Sequence, residues 1–279
     1  MSMAAAIFLG FIQGVAEFLP ISSSGHLSVL QNFFHMQTAE DGHMFFDVLL
    51  HLGTLGAIVL AYWSDIKAIV VDSLQLLRDA RSGAAAPKRG YPGGRLLLMM
   101  FFATLPLFVI LPFNDRLEQL YYKTGFIGAA FILTGCMLYV SDRMPRGKKT
   151  ANTMRVRDAL IIGVCQAVAT IPGISRSGST ITGAIATGHD RNFAVKFSLL
   201  LSLPAVLGAN LLSLVDALKE GVDTSYLGAY FAGTAVAFVV GYFSISLLRR
   251  IMVKGKFGQF AYYMWGVGAL TLILSLFIK

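Results

Sequence analysis

Between Glu17 and His26 the chain reads E-F-L-P-I-S-S-S-G-H, which places a carboxylate, the hydroxyls of Ser22, Ser23 and Ser24, and an imidazole within one otherwise apolar stretch. Those groups can support nucleophilic chemistry, in which a hydroxyl or imidazole attacks and a neighbouring base takes the proton. A second polar cluster, P-G-I-S-R-S-G-S-T at 172–180, adds Gly173, Ser175, Arg176, Ser177, Ser179 and Thr180. The planar donor fork of arginine suits phosphate oxygens. Helices starting just after each Pro/Gly/Ser break would direct amide N–H groups and positive dipole ends inward, which favours an anion. The residue types therefore point to a phosphate-bearing ligand. The hydroxyls and glycines can equally serve broken helix ends and close packing. Glu17, His26 and Arg176 cannot be explained that way, because ionisable groups at membrane depth are costly and usually functional.

The two clusters are related. Shifted by 153 positions, residues 10–27 lie over 163–180 without a gap. Gly10, Gln13, Val15, Ala16, Ile21, Ser22, Ser24 and Gly25 then meet identical residues at Gly163, Gln166, Val168, Ala169, Ile174, Ser175, Ser177 and Gly178. Where the first copy has Glu17, Ser23 and His26, the second has Thr170, Arg176 and Ser179. One copy carries acid–base groups and the other the cation.

The elements that position these groups are membrane helices. The chain has 279 residues, of which 56% are hydrophobic and 14% charged, with a mean hydropathy of +0.67. Apolar runs at 44–62, 96–112, 121–140, 192–215, 225–248 and 258–278 approach the ~20 residues that cross a hydrocarbon core. Segments 3–35 and 158–188 are each two short apolar pieces around a break, which predicts re-entrant hairpins; a broken backbone at that depth needs protein or a wet cavity around it. The expected fold is an all-α polytopic membrane protein. It has six transmembrane helices plus two re-entrant hairpins, arranged as inverted-topology repeats of about 1–140 and 155–279 within a single domain, 1–279. Basic residues concentrate in 78–95, 141–158 and 249–256. The positive-inside rule puts those loops in the cytoplasm and both termini on the external face. Residues 82–94 read as a flexible connection and 65–80 as an interfacial amphipathic segment. The N-terminus lacks a basic n-region, so cleavage of a signal is not expected. The net charge of +8 lies in short loops, which argues against nucleic acid. Cys136 and Cys165 sit in apolar segments and are expected to be buried and unpaired.

Two known patterns bear on the site. Ser24-Gly25-His26 is similar to the P-S-G-H element of the phosphatidic-acid-phosphatase type, but that pattern's companion histidine falls at Thr182 here. A fuller likeness comes from Gln13-Gly-Val-Ala-Glu17, continued by PISSSGH, together with PGISRSGST and FDVLLHLGTLGA at 46–57. In this order and over the whole chain, the sequence resembles the undecaprenyl-diphosphate phosphatases of the bacitracin-resistance type. The resemblance implies hydrolysis of undecaprenyl diphosphate to undecaprenyl phosphate and phosphate, recycling the lipid carrier of cell-wall synthesis. It implies a bacterial inner-membrane location with the site open to the external side.

It also implies that Glu17 is the essential acid and Ser23 or His26 the nucleophile. Arg176 becomes a phosphate clamp, and Gln13, Ser22, Ser24, Gly173, Ser175, Ser177 and Thr180 surround the substrate. Gln13 cannot act as a base, so that role rests on Glu17. Of the two nucleophile candidates Ser23 is favoured, because its counterpart in the repeat is Arg176. A divalent cation, Mg²⁺ or Ca²⁺, is implied without a recognisable protein cage. Asp47 and His51, four apart on one helix face, line the cavity, assist that cation or simply pack together. His35, His43 and His189 fall near segment ends and receive no role. Expected partners are undecaprenyl diphosphate, membrane lipid and, in a homo-oligomer, further copies of the chain. The alternative activity is transport of the lipid phosphate, to which Glu17, Ser23 and His26 would be superfluous.

Overall fold

The computed structural model describes residues 1–33, 44–82, 90–220 and 224–277. Its helices are α1 (Met3–Ala16), α2 (Ser23–Phe33), α3 (Met44–Ala61), α4 (Trp63–Ser82), α5 (Pro92–Ile110), α6 (Asn114–Tyr121), α7 (Thr124–Arg143), α8 (Val156–Val168), α9 (Arg176–Ala186), α10 (Arg191–Glu220), α11 (Leu227–Val253) and α12 (Gln259–Leu274). Among the described residues there is no strand, only an isolated bridge between Lys149 and His189.

Among the described residues, four helical stretches are long and apolar enough to cross a membrane: Pro92–Phe113, Thr124–Arg143, Arg191–Val215 and Leu227–Val253. A fifth candidate is the pair α3–α4, bent by 79° at Tyr62. The expected interfacial segment at 65–80 is therefore the second arm of that bent pair, while α12 is a shorter apolar helix. The expected flexible connection at 82–94 falls mostly on 83–89, outside the described residues. From Pro92, which suits a first helical turn, the chain is helical. Large apolar side chains such as Leu98, Phe101, Phe108, Leu211, Phe231 and Phe243 point outward. An apolar exterior of this extent is the surface a lipid solvent requires. It also corrects the expectation for Cys136, which is free and exposed on α7. In lipid an outward face is as apolar as an inward one, so composition does not tell the two apart.

Small residues set the helix crossings. A Cβ at Gly10 of α1 would lie 2.2 Å from the carbonyl oxygen of Gly233 in α11, and one at Gly163 of α8 would lie 2.4 Å from that of Ala103 in α5. Gly10 and Gly163 are the repeat-related pair, and each lets a short helix seat backbone-to-backbone on a long one. Helices α7 and α12 pack together in the same manner through Gly128, Gly135 and Gly268.

The basic segments meet at one end of the bundle. Arg95 donates to the carbonyls of Ala151 and Met154, and Arg191 pairs with Asp142 at 2.8 Å. Arg249 stacks over Tyr62, and Lys196 pairs with Asp65. Lys149 Nζ reaches both oxygens of Asp158 at 3.1 Å.

Beside that pair lies His189, fully buried in the α9–α10 connection. Its Nδ1 is bonded to Thr187 Oγ1 and the Ala184 carbonyl, and Phe193 packs on its ring. Its Nε2 is 4.0 Å from Asp158 Oδ2. Burial, aided by the Lys149 charge, holds this imidazole below the usual histidine value, against the pull of Asp158 and the Ala184 carbonyl. A depressed histidine gives stability that is complete above the unfolded value of about 6.5 and is lost as pH falls below it. The unfolding midpoint in detergent is therefore expected to drop between pH 7 and 5, and His189→Asn to flatten the drop. A midpoint in His189→Asn with the wild-type pH slope would remove His189 as the cause.

Candidate active site

Each short hairpin is broken by the same device. Ser22 Oγ accepts from the Gly25 amide at 3.3 Å, and Ser175 Oγ from the Gly178 amide at 3.1 Å. In both, a serine N-cap receives the third amide of the following helix, the preferred arrangement for orphan donors at a helix start. Ser22 adopts a φ of +67° and Gly173 one of +90°, the left-handed turns that let the chain reverse. The two breaks touch, since a Cβ at Gly25 would lie 2.8 Å from the Gly173 Cα. Ser177 Oγ donates to the Leu19 carbonyl at 3.2 Å, tying one break to the other. From α7, Thr134 Oγ1 donates to the Gly173 carbonyl and accepts from the Ser175 amide.

Glu17, the C-cap of α1, stands at this junction and is buried. Its Oε2 accepts from Ser23 Oγ at 2.6 Å and from Gln13 Nε2 at 3.1 Å. Gln13 is four residues earlier on α1, one helical turn away, so the contact follows from the spacing. Its Oε1 is buried and has no hydrogen-bond partner among the described residues. The other oxygen of Glu17, Oε1, accepts from Arg176 Nη2, at the first position of α9. Three donors thus converge on one carboxylate, two from its own hairpin and one from the other.

Exposure divides the expected site residues. Gln13, Glu17, Ser22, Ser175, Ser177 and Thr180 are buried, whereas Ser23, Ser24, His26 and Arg176 are half-buried. Ser22, Ser175 and Ser177 hold helix ends and the contact between breaks. Thr180 Oγ1 bonds the Arg176 carbonyl and, at 2.5 Å, Ser198 of α10. Ser24 lies beside Tyr121. The reachable groups are a hydroxyl already donating to a carboxylate, a guanidinium and an imidazole, beside the first turns of α2 and α9. That set can hold an anion, deprotonate a hydroxyl and move a proton.

Residues 6–270 match the family model described as Bacitracin resistance protein BacA. The chain belongs to the BacA family. It is also similar to the undecaprenyl-diphosphatase of Alkaliphilus metalliredigens, with 38% identity over 97% of this chain and 98% of the relative. Corresponding figures for the undecaprenyl-diphosphatase of Carboxydothermus hydrogenoformans are 36%, 97% and 96%, and for that of Methanosphaera stadtmanae 37%, 97% and 97%.

In this BacA-family chain His26 does not bond to Ser23. Its Nδ1 lies 2.8 Å from the Ser22 carbonyl and its Nε2 2.9 Å from the hydroxyl of Tyr263 on α12. Sequence reasoning missed Tyr263, because an apolar segment 237 residues away gives it no distinguishing signal. His51, on α3, lies near Glu17; its Nδ1 contacts the Asp47 carbonyl at 2.8 Å. Asp47 in turn lies against Gln31 of α2. The Asp47–His51 pair therefore stands beside the site. No group of three His, Cys, Asp or Glu side chains suited to a metal occurs among the described residues.

Proposed function

We propose that this chain is an undecaprenyl-diphosphatase, releasing phosphate from undecaprenyl diphosphate and returning the monophosphate carrier to cell-wall synthesis, with bacitracin resistance as the consequence. The observation that carries the mechanism is the Ser23 hydroxyl donating to Glu17 at 2.6 Å while Arg176 occupies the other carboxylate oxygen. Ser23 Oγ attacks the terminal phosphorus, and its proton passes to Glu17. The bond from that phosphorus to the bridging oxygen breaks, and undecaprenyl phosphate leaves with the electron pair. Arg176 and the first-turn amides of α2 and α9 hold the transferring oxygens, where preorganised donors are most effective. Water then cleaves the phosphoserine, with His26 Nε2 taking its proton, and inorganic phosphate departs.

A divalent cation fits this site as a companion of the diphosphate. Gln13 Oε1 and the Glu17 carboxylate are the oxygens this chain offers it, too few for a protein cage. When bound it neutralises charge on the diphosphate oxygens.

We read the architecture as six crossings and two re-entrant hairpins in a single domain, with inverted repeats of about 1–140 and 155–279. The paired Gly10 and Gly163 crossings and the matching serine caps support this reading. By the positive-inside rule, the gathered basic segments support a reading in which that end faces the cytoplasm of a bacterial inner membrane and both termini and the site open outside. In detergent with Mg²⁺ or Ca²⁺, purified protein is expected to release phosphate from undecaprenyl diphosphate. Binding of the lipid that depends on Arg176, with no phosphate release under any divalent ion, would instead make the protein a lipid-phosphate carrier.

A further inference from the structure

His26 sits between the two helices that pack closely through their glycines, with Phe131 of α7 on one side and Tyr263 of α12 on the other. Its ring centroid is 4.8 Å from that of Phe131 and 5.8 Å from that of Tyr263, the latter nearly parallel at 10°. The two ring nitrogens have different partners. Nδ1 faces the Ser22 carbonyl at 2.8 Å, and a carbonyl only accepts, so Nδ1 carries the hydrogen. In the neutral ring Nε2 is then a lone pair, and the Tyr263 phenol at 2.9 Å donates to it. The arrangement is anchored on the His26 side by the strained turn at Ser22, which aims that carbonyl. Glu17 and Ser23 are bonded to each other rather than to His26, so Tyr263 is the side-chain hydrogen-bond partner of the imidazole among the described residues. Tyr263 itself is 44% exposed, so its ring has room to turn away from Nε2.

We propose that Tyr263 is a positioning residue for the reaction: with the Ser22 carbonyl holding His26 as the Nδ1–H tautomer, the phenol fixes the ring from the other side, aims Nε2 at the second step, and yields that lone pair to the water that cleaves the phosphoserine. This rests on the hydrolase reading above and adds to it a residue of the opposite repeat. The proton balance is simple. Water gives one hydrogen to Nε2 as its oxygen bonds to phosphorus, the Ser23 Oγ–P bond breaks, and Ser23 recovers a proton from Glu17. Tyr263 is not consumed and contacts neither phosphorus nor water in the transition state. Its effect is on where Nε2 points.

Tyr263→Phe keeps the ring and its stacking and removes only the hydroxyl. Loss of one positioning hydrogen bond is expected to lower kcat about tenfold, with KM unchanged within about twofold because binding lies with Arg176 and the helix ends. Since the second step is the one slowed, acid-quenched Tyr263→Phe should accumulate more phosphoserine than wild type. Independently of activity, ¹⁵N NMR of histidine-labelled protein, with the His26 signal identified by its loss in His26→Gln, should show the Nδ1–H tautomer in wild type. In Tyr263→Phe the tautomer should persist, held by the Ser22 carbonyl, while the unprotonated Nε2 signal moves downfield as its hydrogen bond from the phenol is lost. Wild-type kcat in Tyr263→Phe, or slower turnover without added phosphoenzyme and with an unchanged His26 spectrum, overturns the proposal while leaving the hydrolase standing. Absence of phosphate release by wild type would be the failure of the hydrolase reading instead. The NMR comparison would then still decide whether Tyr263 holds His26 through Nε2.

Discussion

Ser23→Ala is expected to lower phosphate release by about 10⁴-fold or more, the scale of losing an activated nucleophile. The substitution leaves Glu17 with its contacts to Gln13 and Arg176. Only one hydrogen bond is lost, a folding cost of about 1 kcal/mol, so the loss reads on chemistry. The decisive measurement is the nature of the trapped phosphoenzyme. Phosphoserine survives acid and phosphohistidine does not, so wild type quenched in acid should retain label on Ser23 and Ser23→Ala should retain none. An acid-labile phosphoenzyme in Ser23→Ala, with turnover within about tenfold of wild type, would transfer the nucleophilic role to His26. The geometry speaks for serine: its oxygen is 2.6 Å from a carboxylate, while the imidazole is held by the Ser22 carbonyl and Tyr263.

Glu17→Gln should lower kcat by about 10³-fold, within the range for loss of a general base, while KM stays level or falls. The direction of KM follows from the ion pair. At rest Arg176 is bound to Glu17, so substrate phosphate must share the guanidinium with a carboxylate. Neutral glutamine releases it. Breaking a buried pair by removing one partner costs about 3–5 kcal/mol. The Arg176 side chain is 22% exposed, and glutamine retains an acceptor oxygen, so the penalty here lies below that range. Matched unfolding midpoints should accompany the kinetics. A raised KM with kcat intact would mean that Glu17 shapes binding and is not the base. Glu17→Asp, which keeps the charge but shortens the arm, should fall between the two.

The chemistry-bearing residues were legible because their spacing is local. Gln13 and Glu17 are one helical turn apart, and the serine–glycine spacing in both breaks is that of an N-cap and the third residue of its helix. The repeat could be read because both copies use that cap and because Gly10 and Gly163 each serve a close crossing. The bend at Tyr62 was less legible. An apolar run followed by an amphipathic one reads as a span ending at an interface, and neither run carries a local mark of the 79° angle between them or of the packing of the second arm on α5.

What the sequence by itself determined is therefore the membrane class, the two polar breaks and the identities of carboxylate, hydroxyls, imidazole and guanidinium, all carried by composition, periodicity and short spacings. The tertiary structure decided which of them meet. Arg176 reaches Glu17 across 159 residues, Ser23 rather than His26 takes the carboxylate, and Tyr263 takes the imidazole across 237. It also decided which hydroxyls serve as caps and braces and which stay reachable. The physical reason is that these juxtapositions come from helix packing between the two halves. In a chain apolar on both its core and lipid faces, no local pattern marks which side of a helix will face its partner.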